Sequence, residues 1–189
     1  MTTMESDTIE VTLNGINAPA QAATIGAIRE NPGLAGVGFH AETRWSGGTR
    51  TTTTAGSFIA AGTKHERQKQ HHTDSDLPLP FHGSDQAAAP AEIALHALGA
   101  CLTSSLVYHC TARGIEVRSV RAEIDASLDA RGFLRVGEPT APGFSDVSVT
   151  LHADTDAEAA ELQEIVDHAP MLDVFTRPIP VKATVEIAA

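Results

Sequence analysis

The sequence predicts an α+β fold in which antiparallel strands are grouped around one long, buried central helix. Three observations predict it. The stretch from Ala89 to Cys110 carries Ile93, Leu95, Leu98, Leu102, Leu106 and Val107 on every side of the helical wheel, the pattern of a helix enclosed by protein. On both sides of that run the apolar period changes to two, as in Val37, Phe39 and Ala41 before it and Val120, Ala122 and Ile124 after it. These strands alternate and are not continuously apolar, which favours antiparallel sheets covered on one face.

Taken in order, Ile9, Val11 and Leu13 alternate with polar residues up to Asn14-Gly15 and predict a short first strand. Residues 18–31 are alanine-rich, with Pro19 near the start and Asn31-Pro32-Gly33 as the stop, and predict a helix. Residues 36–55 read as a hairpin turning at Ser46-Gly47-Gly48 into a β-branched run. A third strand is expected around residues 68–73, and residues 80–88 form a loop. The long helix starts at Pro90, where the missing N–H is harmless, and stops at Gly114; at about 1.5 Å per residue it is roughly 35 Å long. Residues 120–128 and 147–153 are strands joined by a connection with glycines and prolines. Thr155-Asp156-Ala157-Glu158 has the form of a capping box, and Ala159, Leu162, Ile165 and Val166 give the next helix an apolar stripe that Pro170 interrupts. Val181, Ala183, Val185 and Ile187 predict a last strand. The chain divides into an extension, residues 1–35, and one domain, residues 36–189.

Composition excludes several classes. A net charge of -11 argues against nucleic-acid and anionic-membrane partners, which call for a basic patch. No apolar run of about 20 residues is expected to span a bilayer. The first seven residues lack the basic and apolar segments of a secretory leader. Two cysteines do not make a disulfide scaffold. A cytoplasmic protein with reduced thiols is the expectation. Among the nine histidines, His71-His72 point to opposite faces of a strand, and no HxH, HxxxH or CxxC spacing occurs, so neither a metal nor another cofactor is expected. Gly47-Gly48 lacks the lysine of a phosphate loop, and no G-x-S-x-G elbow is present.

Both cysteines lie on the long helix. Cys101 and Cys110 are nine residues apart and so on opposite faces; a disulfide needs Cα atoms within about 7 Å, which an intact helix forbids. Cys110 reads as a small buried hydrophobe. Cys101 is either core packing or the centre of the chemistry.

The run from Gly83 through Pro90-Ala91-Glu92 to Gly99-Ala100-Cys101, followed by Arg113-Gly114-Ile115 and a strand, resembles the OsmC/Ohr family of osmotically inducible and organic hydroperoxide resistance proteins, in its OsmC-like branch. Trp45 to Arg50, Pro142-Gly143-Phe144 and Pro180-Val181 follow the same order, so the resemblance covers roughly residues 36–188. It implies an intertwined homodimer with curved antiparallel sheets around the central helix. It also implies thiol-dependent reduction of organic hydroperoxides by two cysteines, with Cys101 as the attacking one, Glu92 as the family's glutamate, and Arg50 as its arginine, with Arg44 as a competitor. The second, resolving cysteine would fall just before Pro170, where this chain has Ala169.

The chemistry constrains this picture. A peroxidase cysteine reacts as its thiolate, which needs a neighbouring positive charge, and Cys101 is about eleven residues into its helix, too deep for the helix dipole to serve. An arginine from elsewhere, oriented by a carboxylate, would supply it. Glu92 and Cys101 are on opposite sides of one helix, roughly 13 Å apart, so Glu92 would serve the Cys101 of a partner subunit, at a shared active site. As plain residues, Glu92 near a helix start is as readily a dipole partner, and Arg50 in a hairpin a solvated charge. Two functions follow: a one-cysteine hydroperoxide reductase in oxidative stress defence, restored by an external thiol, or a non-catalytic dimer binding an apolar small molecule beside Cys101.

Overall fold

The computed structural model describes residues 12–187. They form two compact units, residues 12–96 with 111–114 and residues 97–110 with 115–187.

In the first unit, β1 (Thr12–Leu13) and β2 (Ile16–Asn17) form a tight hairpin. Its turn residues Asn14 and Gly15 both take positive φ, 54° and 77°, as a type I′ turn requires. Ile9 and Val11 of the predicted first strand lie outside the described residues. Helix α1 (Ala18–Glu30) begins where Asn17 accepts a hydrogen bond from Ala20 N at 2.9 Å and ends at Asn31, as predicted. The hairpin is fastened to buried Thr111, which accepts from Asn14 Nδ2 at 3.0 Å.

Strands β3 (Val37–Gly47) and β4 (Arg50–Ala60) form the long predicted hairpin, and β4 also pairs with β5 (Thr63–His65) and β6 (His71–Ser75). The run Thr51–Thr54 is explained by cross-strand hydroxyl contacts, to Ser75 (2.7 Å), Asp74 (2.6 Å), Thr43 (2.9 Å) and His72 (2.9 Å).

Helix α2 (Pro90–Ala112) is continuous and closes as a Schellman motif, with Ile115 N donating to Cys110 O and Gly114 N to Thr111 O. In the second unit, β7 (Val117–Leu128) and β8 (Phe144–Thr155) pair antiparallel, and between them the predicted connection contains a short helix, α3 (Ala130–Leu134). Helices α4 (Ala159–Val166) and α5 (Pro170–Thr176) follow. The core is the i, i+4 stripe Leu98, Leu102, Leu106 and Cys110 with Ile165 and Ala169, all at most 2% exposed. Each of these leucines, fully removed from water, contributes about 2–3 kcal/mol. Gly99 belongs to the same packing: a Cβ there would lie 2.8 Å from Cδ1 of Ile124, so a larger residue would have to displace the end of that β7 side chain.

Four expectations are corrected. Residues 178–187 form no strand; Val181, Val185 and Ile187 are 80%, 91% and 93% exposed, because no strand edge among the described residues takes up their alternation. The capping box does not form, because Thr155 ends β8 and donates to Glu116 O at 2.6 Å, leaving Glu158 as an N-cap without a side-chain bond. Pro170 does more than interrupt: it opens α5, at the position where its ring suits a helix. Helix α2 is buried along one stripe and not all round; Tyr108 is 40% exposed and Ile93 and Leu95 are half-buried. By length and composition alone α2 could cross a membrane, at 23 residues and a mean hydropathy of 1.3. Its buried stripe of four side chains is packed by protein, as in a core helix.

Candidate functional site

Cys101 is half-buried and reduced. It packs against the cluster of Leu98, Leu102 and Ala169, beside Met171, Leu172 and Phe175. Its sulfur has two polar contacts: Met171 N donates to Sγ at 3.4 Å, and Ser105 Oγ lies 3.9 Å away. The sequence places both for a reason. Ser105 is one helical turn on from Cys101, and Pro170, which has no N–H, leaves Met171 as the first residue of α5 able to donate. An apolar cleft of about 610 Å³ runs alongside, lined by residues that also pack the Cys101 cluster, among them Leu102, Val147, Val149, Val166 and Leu172. Cys101 itself is not in that lining; its neighbour Leu102 is.

Cys110 is fully buried against Leu106 and Ile165, the packing role expected of it. The two sulfurs remain on opposite faces of a continuous helix.

Glu92 is exposed and stands at the third position of α2, where its Oε2 accepts from Ala89 N at 2.6 Å. This is the reciprocal half of a capping box, so in the single chain Glu92 closes its own helix N-terminus. Arg50 opens β4 beside the turn Gly47-Gly48 and has no ion-pair partner among the described residues, whereas Arg44 is held by Glu42 at 2.8 Å. Arg50 and Glu92 belong to the first unit and Cys101 to the second, and no hydrogen bond or ion pair joins Arg50 to Glu92.

The sequence reading missed Asp76. It is 1% exposed, and its carboxylate accepts five hydrogen bonds: Thr49 Oγ1 (2.5 Å) and Leu77 N (2.9 Å) on Oδ1, and Ser84 Oγ (2.6 Å), Ser84 N (3.0 Å) and Gln86 N (3.2 Å) on Oδ2. These bonds, the one from the Ser84 hydroxyl foremost and that from Thr49 next, hold it well below the usual carboxylate range. Nothing local marks the residue, because Thr49 is 27 positions away. The nearest hint is Gly83, where a Cβ would fall onto the carbonyl of Leu77 and the loop could not close. No group of three or more His, Cys, Asp or Glu side chains among the described residues could hold a metal ion.

Comparison with known proteins decides the family. The model of the OsmC-like protein family matches residues 83–184, more than half of the chain. The chain belongs to the OsmC-like family. The matched segment contains α2, Cys101, Glu92 and the second unit's sheet and helices, whereas Arg50 and the first unit's hairpin precede it. Among solved structures, the OsmC-like protein of Mycoplasma pneumoniae is 12% identical with a TM-score of 0.54, over 74% of this chain and 87% of that one. A proposed osmotic stress induced and detoxification response protein of Psychrobacter arcticus is 14% identical with a TM-score of 0.52, over 69% and 83%. At these identities they establish the fold: open antiparallel sheets with one long helix, as in the OsmC-like family. No match was found among curated protein sequences.

Proposed function

We propose that this OsmC-like chain is a thiol-dependent reductase of organic hydroperoxides that works with one cysteine, Cys101, in oxidative stress defence. The observation that carries the proposal is the surroundings of Cys101: a half-buried thiol in an apolar cluster, faced by the Met171 N–H, with Ala169 fully buried in the same cluster. The Cys101 thiolate attacks one peroxide oxygen, the O–O bond breaks, and the alkoxide leaves with a proton as the alcohol. Sulfur is oxidised to sulfenic acid. Ala169 cannot condense with it, so an external thiol does, releasing water and forming a mixed disulfide; a second thiol then frees Cys101 and carries the disulfide away.

The working form we propose is a cytoplasmic homodimer. A single chain leaves Phe39 78% and Trp45 74% exposed, leaves much of α2 uncovered, and carries a strand-patterned arm at 178–187 without a strand partner. In the dimer we propose, Arg50 supplies the positive charge and Glu92 the carboxylate at a thiol site shared between the subunits.

The apolar cleft favours a second reading, a non-catalytic dimer that binds an apolar small molecule. Consumption of cumene hydroperoxide with a monothiol or dithiol reductant separates the two. Consumption that disappears in Cys101→Ser supports the reductase; no consumption with either reductant, alongside binding of an apolar ligand, supports the second reading.

A further inference from the structure

Among the described residues Asp76 is the only buried charged side chain, and burying a carboxylate is costly unless its oxygens are bonded. Its five bonds tie Thr49, in the turn just before Arg50, to Ser84 and Gln86, in the loop that leads to α2, and Leu77 N reinforces the knot by donating to Thr49 Oγ1 at 3.3 Å. Two recesses of about 260 and 480 Å³ flank this knot, and Arg50 and Asp76 line both. Arg50 is thus rooted at the place that the buried carboxylate fixes, while its own guanidinium has no ion-pair partner among the described residues. A side chain with this much rotamer freedom is useful to an anion only if its base is held still.

We propose that Asp76 is a positioning residue for Arg50, acting through the Thr49 hydroxyl to lock the β3–β4 turn against the 76–86 loop and so hold the base of the guanidinium still for an anion, the thiolate of the dimer's shared site. The proposal rests on the reductase reading for the identity of that anion.

The test is Thr49→Val, which removes one of Asp76's five bonds and the longer Leu77 N contact to the same hydroxyl, and leaves Asp76's other four bonds. It is compared with Arg50→Gln, with the double variant, and with Asp76→Asn as the harsher cut. The readout is the rate at which cumene hydroperoxide converts Cys101 to sulfenic acid, trapped with dimedone, together with amide exchange at residues 49–51 and 84–86. Thr49→Val is expected to slow Cys101 oxidation about tenfold, and the double variant to be no slower than Arg50→Gln alone. A Thr49→Val rate equal to wild type, or losses that multiply in the double variant, would overturn the proposal, since a merely structural role adds independently of Arg50. If wild-type Cys101 is not oxidised at all, the reductase reading falls, and the positioning role is judged on exchange. Faster exchange at Arg50 in both Thr49→Val and Asp76→Asn supports it, and unchanged exchange at Arg50 ends it.

Discussion

The backbone N–H of Met171 points at Sγ of Cys101 from 3.4 Å. Seventy positions separate the two, and they meet because Ala169 is fully buried against the same leucines as Cys101. A negative charge forming on that sulfur meets a donor, and the segment that supplies it also packs Ala169 into the Cys101 cluster. The two cysteines of the chain are therefore expected to differ sharply. Cys101→Ser should lose dimedone labelling and peroxide consumption. Cys110→Ala should keep both, at a stability cost of about 1–2 kcal/mol for the buried sulfur removed, measured by urea unfolding.

Ala169→Cys should restore a second thiol beside Cys101. We expect an internal disulfide after one equivalent of hydroperoxide, read as the loss of both free thiols by mass analysis, and faster turnover with a dithiol reductant. Diamide should form the same bond without peroxide, which checks the geometry alone. Overpacking should destabilise the reduced variant by no more than about 1–3 kcal/mol.

Glu92 is open to a clean separation of roles. If it only caps α2, Glu92→Ala costs about 1 kcal/mol through the lost bond to Ala89 N, and peroxide consumption by the folded protein is unchanged. Our reading of a shared site predicts more: Glu92→Gln, which keeps an acceptor for Ala89 N, should hold the melting temperature near wild type and still slow Cys101 oxidation.

Acid should unfold the chain partly through Asp76. Its ordinary value is 3.8, and the folded carboxylate stays ionised well below that, so at low pH the unfolded chain binds the extra proton. The stability that Asp76 contributes is complete above about pH 4 and is lost as the pH falls further. Unfolding midpoints between pH 2 and 6 should show a steep acid limb in wild type and a shallower one in Asp76→Asn.

Much of this was legible in the sequence. Periodicity placed α2, the long hairpin and β7 and β8, because each is held by contacts that repeat at its own spacing. Burial of α2 was over-read for a physical reason: the wheel shows which faces are apolar but not which chain covers them. The same holds for Val181 to Ile187, whose alternation is real but which pair with no strand among the described residues. At the site, the motif marked Cys101 and Ala169, which the fold packs into one cluster, whereas the spacing around Gly47-Gly48 does not choose between Arg50 and Arg44. Asp76 was invisible because its donors are brought together by the fold and not by spacing.

The most direct test of the account is the fate of Cys101 after reduced protein meets one equivalent of cumene hydroperoxide, read by peptide mass analysis with dimedone present. We predict dimedone on Cys101, none on Cys110, and one alcohol formed per thiol consumed. Unmodified Cys101 with the peroxide intact would contradict it.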